Sequence, residues 1–105
     1  MVRGGFALVV ALAVVVSTVS AFAQDVAARG QRLFIEQGCY GCHQIGNVGT
    51  QIGPNLSHIG AKYGRAQLAA WLHDPREQKP TAHMPKINLS AEETEALSTY
   101  LASLR

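Results

Sequence analysis

The apolar residues of this chain form one long run near the N-terminus and several shorter groups at helical spacing. The clearest group lies near the C-terminus and forms a single stripe made of Leu97, Tyr100, Leu101 and Leu104. Ser90 precedes this stripe and Glu93 follows Ser90 by three residues, which is the pattern of a capping box. The sequence therefore predicts a C-terminal helix that begins after Ser90.

Two further helices are predicted upstream. Val26, Leu33 and Phe34 mark an amphipathic segment over residues 26–37 that ends at Gly38. A second segment, residues 65–73, places Leu68, Trp71 and Leu72 on one face. It should end at Asp74-Pro75, because a residue before proline disfavours helical angles.

The remaining segments show neither helical nor strand periodicity. Residues 46–60 carry four glycines and Pro54, which is typical of an irregular loop. A second loop follows Pro75, and Lys79-Pro80 and Met84-Pro85 restrict its backbone on both sides of Met84. No stretch alternates apolar and polar residues over enough positions for a strand. The predicted fold class is all-α, with three to four short helices.

The N-terminus has the features of an export signal. Arg3 precedes a nearly unbroken aliphatic run over residues 6–16, and Ala21-Phe22-Ala23 matches a cleavage site. The alternative is a retained membrane anchor, but Ser17, Thr18 and Ser20 leave the run short for a membrane span. We expect residues 1–23 to be a cleaved signal peptide and residues 24–105 to form one domain in the periplasm, without stable membrane insertion.

Charge excludes some classes of partner. The formal net charge of the 105-residue chain is +2, which does not indicate binding to nucleic acid or to a lipid surface. No Asp, Glu, Lys or Arg lies between Glu36 and Lys62. We therefore expect this neutral segment to dock on partners through apolar and polar contacts, with Lys62, Lys79 and Lys86 as a basic rim.

The chemistry of the chain centres on Cys39-Tyr40-Gly41-Cys42-His43. This C-x-x-C-H spacing is that of c-type haem attachment, in which two thiols bond one haem and the adjacent histidine reaches the iron. Cys39 and Cys42 are the only cysteines. The alternatives are a disulfide, a thioredoxin-like redox pair and half of a zinc site. A thioredoxin-like protein needs a strand–helix–strand pattern, which the sequence does not show. A zinc site needs histidines at the usual spacing, which is also missing.

His43 would bind iron through Nε2, and its Nδ1–H then needs an acceptor that orients the ring. The candidate is the backbone carbonyl of Pro54. The sixth iron position decides whether the haem binds ligands or passes electrons. Met84, the only methionine after cleavage, is the candidate ligand, with His83 as its rival. Met84 filling a gap in the core is the structural alternative.

Other residues near the predicted haem have less specific roles. The indole N–H of Trp71 needs an acceptor when buried, and a haem propionate is the candidate, with core packing as the alternative. Tyr63, Lys62 and Arg65 would be within reach of a propionate but are more typical of solvated positions. His58 and His73 are expected to be surface residues. Lys79 and Lys86 would compete with Met84 only when deprotonated.

These motifs resemble class I cytochrome c over nearly the whole of residues 24–105. The residues that carry the likeness, in order, are Gly30, Phe34, Cys39, Cys42, His43, Gly53-Pro54-Asn55-Leu56, Met84-Pro85, Leu97 and Tyr100. The resemblance implies first and last helices that cross beside the haem, with Gly30 at the close approach and Phe34 packed on Leu97 and Tyr100.

The segment from Trp71 onward is also similar to the cytochrome c domain fused to subunit II of some haem–copper oxidases. The matching pairs are Trp71-Leu72, Asp74-Pro75, Lys79-Pro80, Met84-Pro85 and Tyr100-Leu101. We expect a monohaem electron carrier rather than an enzyme, with no catalytic residues. Its partner would be an oxidase, a reductase or a dehydrogenase. The alternatives are a haem subunit of a larger complex and a ligand-binding haem sensor or enzyme, and the protein would be a monomer or such a subunit.

Overall fold

The computed structural model describes residues 2–105, with side chains described from residue 18 onward. Arg3 and the apolar run over residues 6–16, on which the predicted export signal depends, lie outside the described side chains. Within the described part of the chain, no helix has both the length and the apolar character that a membrane crossing requires.

The fold is all-α, as predicted, but it has more helices than the sequence pattern indicated. Five α-helices lie in the described residues: α1 (Val2–Glu36), α2 (Ile59–Lys62), α3 (Arg65–His73), α4 (Pro75–Gln78) and α5 (Ala91–Ala102). Helix α3 has the predicted bounds. Helix α1 begins far before residue 26, because no proline interrupts the residues around Ala23 and alanine favours helix.

Helix α4 was predicted as loop. Its formation has a local cause, since Pro75 occupies the first helical position, where a missing N–H costs nothing. Asp74 caps the helix, and its side chain accepts a hydrogen bond of 3.1 Å from the Arg76 N–H. The same Asp-Pro pair therefore ends α3 and starts α4.

The segment over residues 46–60 is more regular than predicted. Two short antiparallel strands, β1 (Gln44–Ile45) and β2 (Val48–Gly49), pair Gln44 with Gly49 and Ile45 with Val48. Gly46 adopts a positive φ of 58° in the connection. Strands of two residues are too short to show alternation, so the pairing left no periodic signal in the sequence.

Helix α5 begins as its capping box predicts. The Glu93 N–H donates to Ser90 Oγ at 3.1 Å, and the Ser90 N–H donates to Glu93 Oε1 at 2.9 Å. The hydrogen bond from the Ser90 backbone lowers the pKa of Glu93 below its usual range. The box satisfies two backbone donors that the first turn of a helix leaves without partners.

The core lies where α1 and α3 pack on α5. Its buried residues are Phe34, Leu68, Leu72, Leu97, Tyr100 and Leu101. Phe34 meets Tyr100 edge-on, with ring centroids 6.0 Å apart, and Leu97 is fully buried. The predicted packing of Phe34 on Leu97 and Tyr100 is therefore present.

Gly30 sits at the crossing of α1 and α5. A Cβ built on Gly30 would overlap the backbone oxygen of Ala96 and lie 2.7 Å from the Tyr100 Cβ. The two helices can approach this closely only because residue 30 has no side chain.

Candidate haem site

The C-x-x-C-H motif forms a tight turn directly after α1. Gly38 leaves the helix with a positive φ of 74°, and residues Cys39–Gly41 form one turn of 3₁₀ helix. The His43 N–H donates to the Cys39 carbonyl at 2.9 Å. This helical spacing places Cys39 and His43 on the wall of one cavity, while Cys42 is exposed.

Cys39 and Cys42 are not joined to each other by a disulfide in the structure. Burial raises the pKa of Cys39, and a hydrogen bond from its own backbone opposes that shift. Among the described side chains, no group of three or more histidine, cysteine or acidic residues is placed to hold a metal ion.

The ring of His43 is held on two sides. Its Nδ1 lies 2.8 Å from the Pro54 carbonyl oxygen, which is the hydrogen bond predicted from sequence. Gly53 lies against the ring, and a Cβ on that residue would come within 2.7 Å of His43 Cε1. With Nδ1–H donating to the Pro54 carbonyl, the lone pair of Nε2 remains free to bind a metal.

A cavity of about 750 Å³ opens beside His43. Such a volume is in the range of cofactor sites, which run from roughly 300 to 1,000 Å³. Its apolar lining includes Phe34, Leu56, Ile59, Leu68, Leu72, Leu97 and Leu101. Leu56 was singled out from the sequence only as part of the Gly53-Pro54-Asn55-Leu56 motif. Ile59 was not singled out at all, because the segment that carries it has no periodicity.

Met84 also lines this cavity, together with His43. Its side chain is half-buried, while the neighbouring His83 is exposed and is not among the lining residues. The structure therefore brings Met84, and not its predicted rival His83, to the wall that also carries His43.

Trp71 lines the cavity, but its N–H has a partner other than the one predicted. The indole Nε1–H donates to Met84 Sδ at 3.1 Å. In the structure the single indole hydrogen goes to the thioether, and the propionate contact of Trp71 stays a prediction. Other polar residues that line the cavity are Tyr63, Gln67, Gln78 and Lys79. Gln67 and Gln78 were missed, because isolated glutamines carry no motif.

Three other candidates lie away from the cavity wall. Arg65, one of the residues considered for a propionate, forms an ion pair of 2.6 Å with Glu95. His58 is exposed, and its Nδ1 lies 3.1 Å from the Arg105 carbonyl oxygen. His73 is also exposed. The surface positions predicted for both histidines are therefore present.

A C-x-x-C-H turn beside an apolar cavity in an all-α fold defines the class of c-type haem proteins. Residues 27–105 match the family model described as Cytochrome c. The chain belongs to the cytochrome c family, and it binds haem c covalently. This family assignment supports a haem electron carrier.

The known proteins that resemble the chain include the following two. One is cytochrome c oxidase subunit 2 of Alkalihalophilus pseudofirmus, which is 35% identical over 91 residues, covering 78% of this chain and 27% of that protein. The chain thus spans about a quarter of that relative. The other is the c-type cytochrome SorU of Sinorhizobium meliloti, with a TM-score of 0.61 and 24% identity over 77% of this chain and 92% of SorU. The likeness to SorU shows that the two proteins share a fold.

The cavity fits a haem on its own evidence. The wall combines apolar side chains with one oriented imidazole and one thioether, while Cys39 reaches the same wall. Imidazole and thioether are both known axial ligands of haem iron. Cys39 and Cys42 would hold the porphyrin, and His43 and Met84 would be available to the iron.

Proposed function

We propose that this protein carries single electrons between redox proteins outside the cytoplasm, with His43 and Met84 as the axial iron ligands. The observation that carries the proposal is that both side chains line one cavity next to the attachment motif. The fixed orientation of His43 by Pro54 supports it.

Two permanent ligands suit electron transfer for a physical reason. When bound, the haem supplies an iron centre that changes charge by one electron. His43 and Met84 would remain bound to the iron in both oxidation states. The number of iron ligands would therefore stay the same when an electron enters from a donor or leaves to an acceptor. The apolar wall would keep water from the iron and help set the reduction potential.

Export is part of the proposal. It rests on the N-terminal pattern of Arg3, an aliphatic run and Ala21-Phe22-Ala23. Removal of residues 1–23 would leave residues 24–105 as the mature domain in the periplasm. The intact mass of the purified protein tests this step, since an uncleaved N-terminus would contradict it.

Partner docking would use the neutral segment around the motif. Val48 and Ile52 expose 58% and 75% of their surfaces there, and Cys42 is exposed as well. An apolar and polar patch of this kind favours contacts that depend little on salt. An oxidase, a reductase or a dehydrogenase outside the cytoplasm would be the partner.

A second candidate function is that of a haem subunit in a larger complex. It is favoured by the 35% identity to an oxidase subunit. Purification of the native protein distinguishes the two, because a subunit would co-purify with a larger oxidoreductase and a free carrier would not. The protein would be a complex member in the first case and a monomer in the second.

The axial ligands are tested with the variants Met84→Ala and His83→Ala. The wild-type protein should show a low-spin spectrum with the near-infrared band of methionine bound to ferric iron, and slow reaction of its ferrous form with carbon monoxide. Met84→Ala should lose the band and bind carbon monoxide readily, whereas His83→Ala should behave as wild type. His43→Ala should fail to give stable holoprotein.

Loss of the band in His83→Ala, or unchanged carbon monoxide binding in Met84→Ala, would contradict the assignment of Met84. A wild-type ferrous protein that binds carbon monoxide at once would favour a sensor or an enzyme instead.

A further inference from the structure

The haem cavity is apolar inside and polar where it opens to solvent. Its buried lining residues are apolar and include Leu68, Leu72, Leu97 and Leu101. Four exposed residues of the lining carry polar groups: Tyr63, Gln67, Gln78 and Lys79. All four come from one stretch of the chain, residues 63–79, and together we call them the polar mouth.

Haem c is divided in the same way. The porphyrin is apolar except for its two propionates, which are carboxylates with a negative charge at neutral pH. The propionates stay free when the vinyl groups are bonded to Cys39 and Cys42, because they sit on the other two pyrrole rings. A carboxylate is costly to bury without a partner, so it needs solvent, hydrogen-bond donors or a cation. The polar mouth offers all three.

Lys79 supplies the positive charge of the polar mouth. Among the described residues that line the cavity, none is acidic, and Lys79 is the one lysine or arginine. The other cations considered for a propionate are placed differently. Arg65 Nη1 lies 2.6 Å from Glu95 Oε2, and Lys62 does not line the cavity. Since that ion pair is the only one between described side chains, the Lys79 ammonium has no carboxylate partner within this part of the protein.

Two further contacts suit the polar mouth to an anion. The backbone of Lys79 is fixed on both sides, because its N–H donates to the Pro75 carbonyl and its carbonyl accepts from the Ala82 N–H, each at 2.9 Å. Gln67 Oε1 accepts from the Gly64 N–H at 3.3 Å. With this oxygen in use, the Gln67 amide offers mainly its N–H groups, which bind an acceptor such as a carboxylate.

We propose that the polar mouth binds the haem propionates and that Lys79 is their charge partner. This inference goes beyond the proposed function: it needs the bound haem, but it does not depend on which residue is the sixth iron ligand. The pair would stabilise the ionised propionate, as a nearby opposite charge does. It would also withdraw Lys79 from the basic rim and leave Lys62 and Lys86 for contacts with a partner.

The reactivity of the lysines tests this inference in the wild-type holoprotein. The chain has three lysines, Lys62, Lys79 and Lys86, and all three are exposed. Exposure alone therefore predicts similar rates of acylation by an amine reagent. An ammonium paired with a carboxylate loses its proton less readily, so Lys79 should react about tenfold more slowly than the other two. Peptide mass spectrometry after limited acylation measures the three rates, and equal rates would overturn the inference.

The propionates themselves provide a second test. Lys79→Gln removes the charge, and Lys62→Gln is the matched control, because it removes the same charge from an exposed position outside the cavity lining. Carbon NMR of holoprotein with labelled propionates follows their titration. In Lys79→Gln, the titration midpoint of at least one propionate should rise by about one pH unit. In Lys62→Gln, both midpoints should stay near those of the wild type.

Unchanged midpoints in Lys79→Gln, or an equal rise in both variants, would show that Lys79 is not the charge partner. The axial assignment is judged separately, by the near-infrared methionine band. A wild-type protein that lacks the band but has a slowly reacting Lys79 would contradict Met84 as a ligand and support the propionate pair. The reverse result would contradict the pair alone.

Discussion

At the scale of single residues, the orientation of His43 depends on two neighbours that do not belong to its motif. The Pro54 carbonyl accepts from Nδ1 at 2.8 Å, and Gly53 leaves room for the ring. The Gly-Pro pair thus serves the histidine in two ways. One residue supplies an acceptor, and the other supplies space.

The role of Gly53 gives a direct prediction. In Gly53→Ala, the added Cβ would lie 2.7 Å from His43 Cε1 and 3.0 Å from Nδ1, so the ring must shift. We expect the holoprotein to lose about 1–3 kcal/mol of unfolding free energy, as overpacked sites do. Denaturant titration followed by haem absorbance measures this loss.

Gly41→Ala is the control for that experiment. A Cβ on Gly41 meets no atom within 4 Å, although the residue lies inside the attachment motif. If both alanine variants unfolded at the wild-type midpoint, the close approach of Gly53 to the imidazole would have no energetic weight.

At the scale of elements, the crossing of α1 and α5 is the contact that organises the fold. Gly30 brings the two backbones together, and Phe34 then packs against Tyr100 and Leu97 one turn later. Both Phe34 and Leu97 also line the cavity. The packing of these two helices therefore also determines part of the shape of the haem site.

Substitution of Gly30 should cost more than substitution of Gly53. The obstacle to a Cβ in Gly30→Ala is the backbone of Ala96, which cannot rotate away as a side chain can. We expect a loss near the upper end of the overpacking range, about 3 kcal/mol. Thermal and denaturant unfolding measure it, with the exposed Gln31→Ala on the same helix as the control. Equal stability of the two variants would contradict a tight crossing.

At the scale of the whole molecule, charge is absent from the surface segment that surrounds the attachment motif. Residues 37–61 contain no acidic or basic side chain other than two histidines, and Val48 and Ile52 are well exposed within it. Two copies of the protein that exchange an electron through this face would meet without strong electrostatic steering.

Electron self-exchange between oxidised and reduced copies tests this surface without a partner. Ile52→Lys would place like charges in the contact, so the exchange rate at low salt should fall by about fivefold, the effect of about 1 kcal/mol of repulsion. Added salt should restore most of the rate. Line broadening in mixed oxidation states gives the rates.

Ile35→Lys provides the comparison, because Ile35 is 60% exposed but lies on α1 outside the neutral segment. Its exchange rate should stay near that of the wild type. A similar fall in both lysine variants would show that the neutral segment is not the contact surface.

The sequence alone was sufficient for the features that are encoded locally. The C-x-x-C-H spacing predicted the attached haem, the Ser90–Glu93 box predicted the start of α5, and Asp74-Pro75 predicted the end of α3. Each of these depends on residues only a few positions apart. Helices α2 and α4 and the β1–β2 pair were missed, because elements this short carry no period.

The tertiary structure decided which distant side chains meet. It placed Met84 rather than His83 on the wall with His43, and it brought the Trp71 N–H to Met84 Sδ. It also paired Arg65 with Glu95. Partners separated along the chain are chosen by how the helices pack, and a hydrogen-bond donor takes the acceptor that packing brings within reach. For that reason the sequence identified the groups that do the chemistry, and the fold determined their contacts.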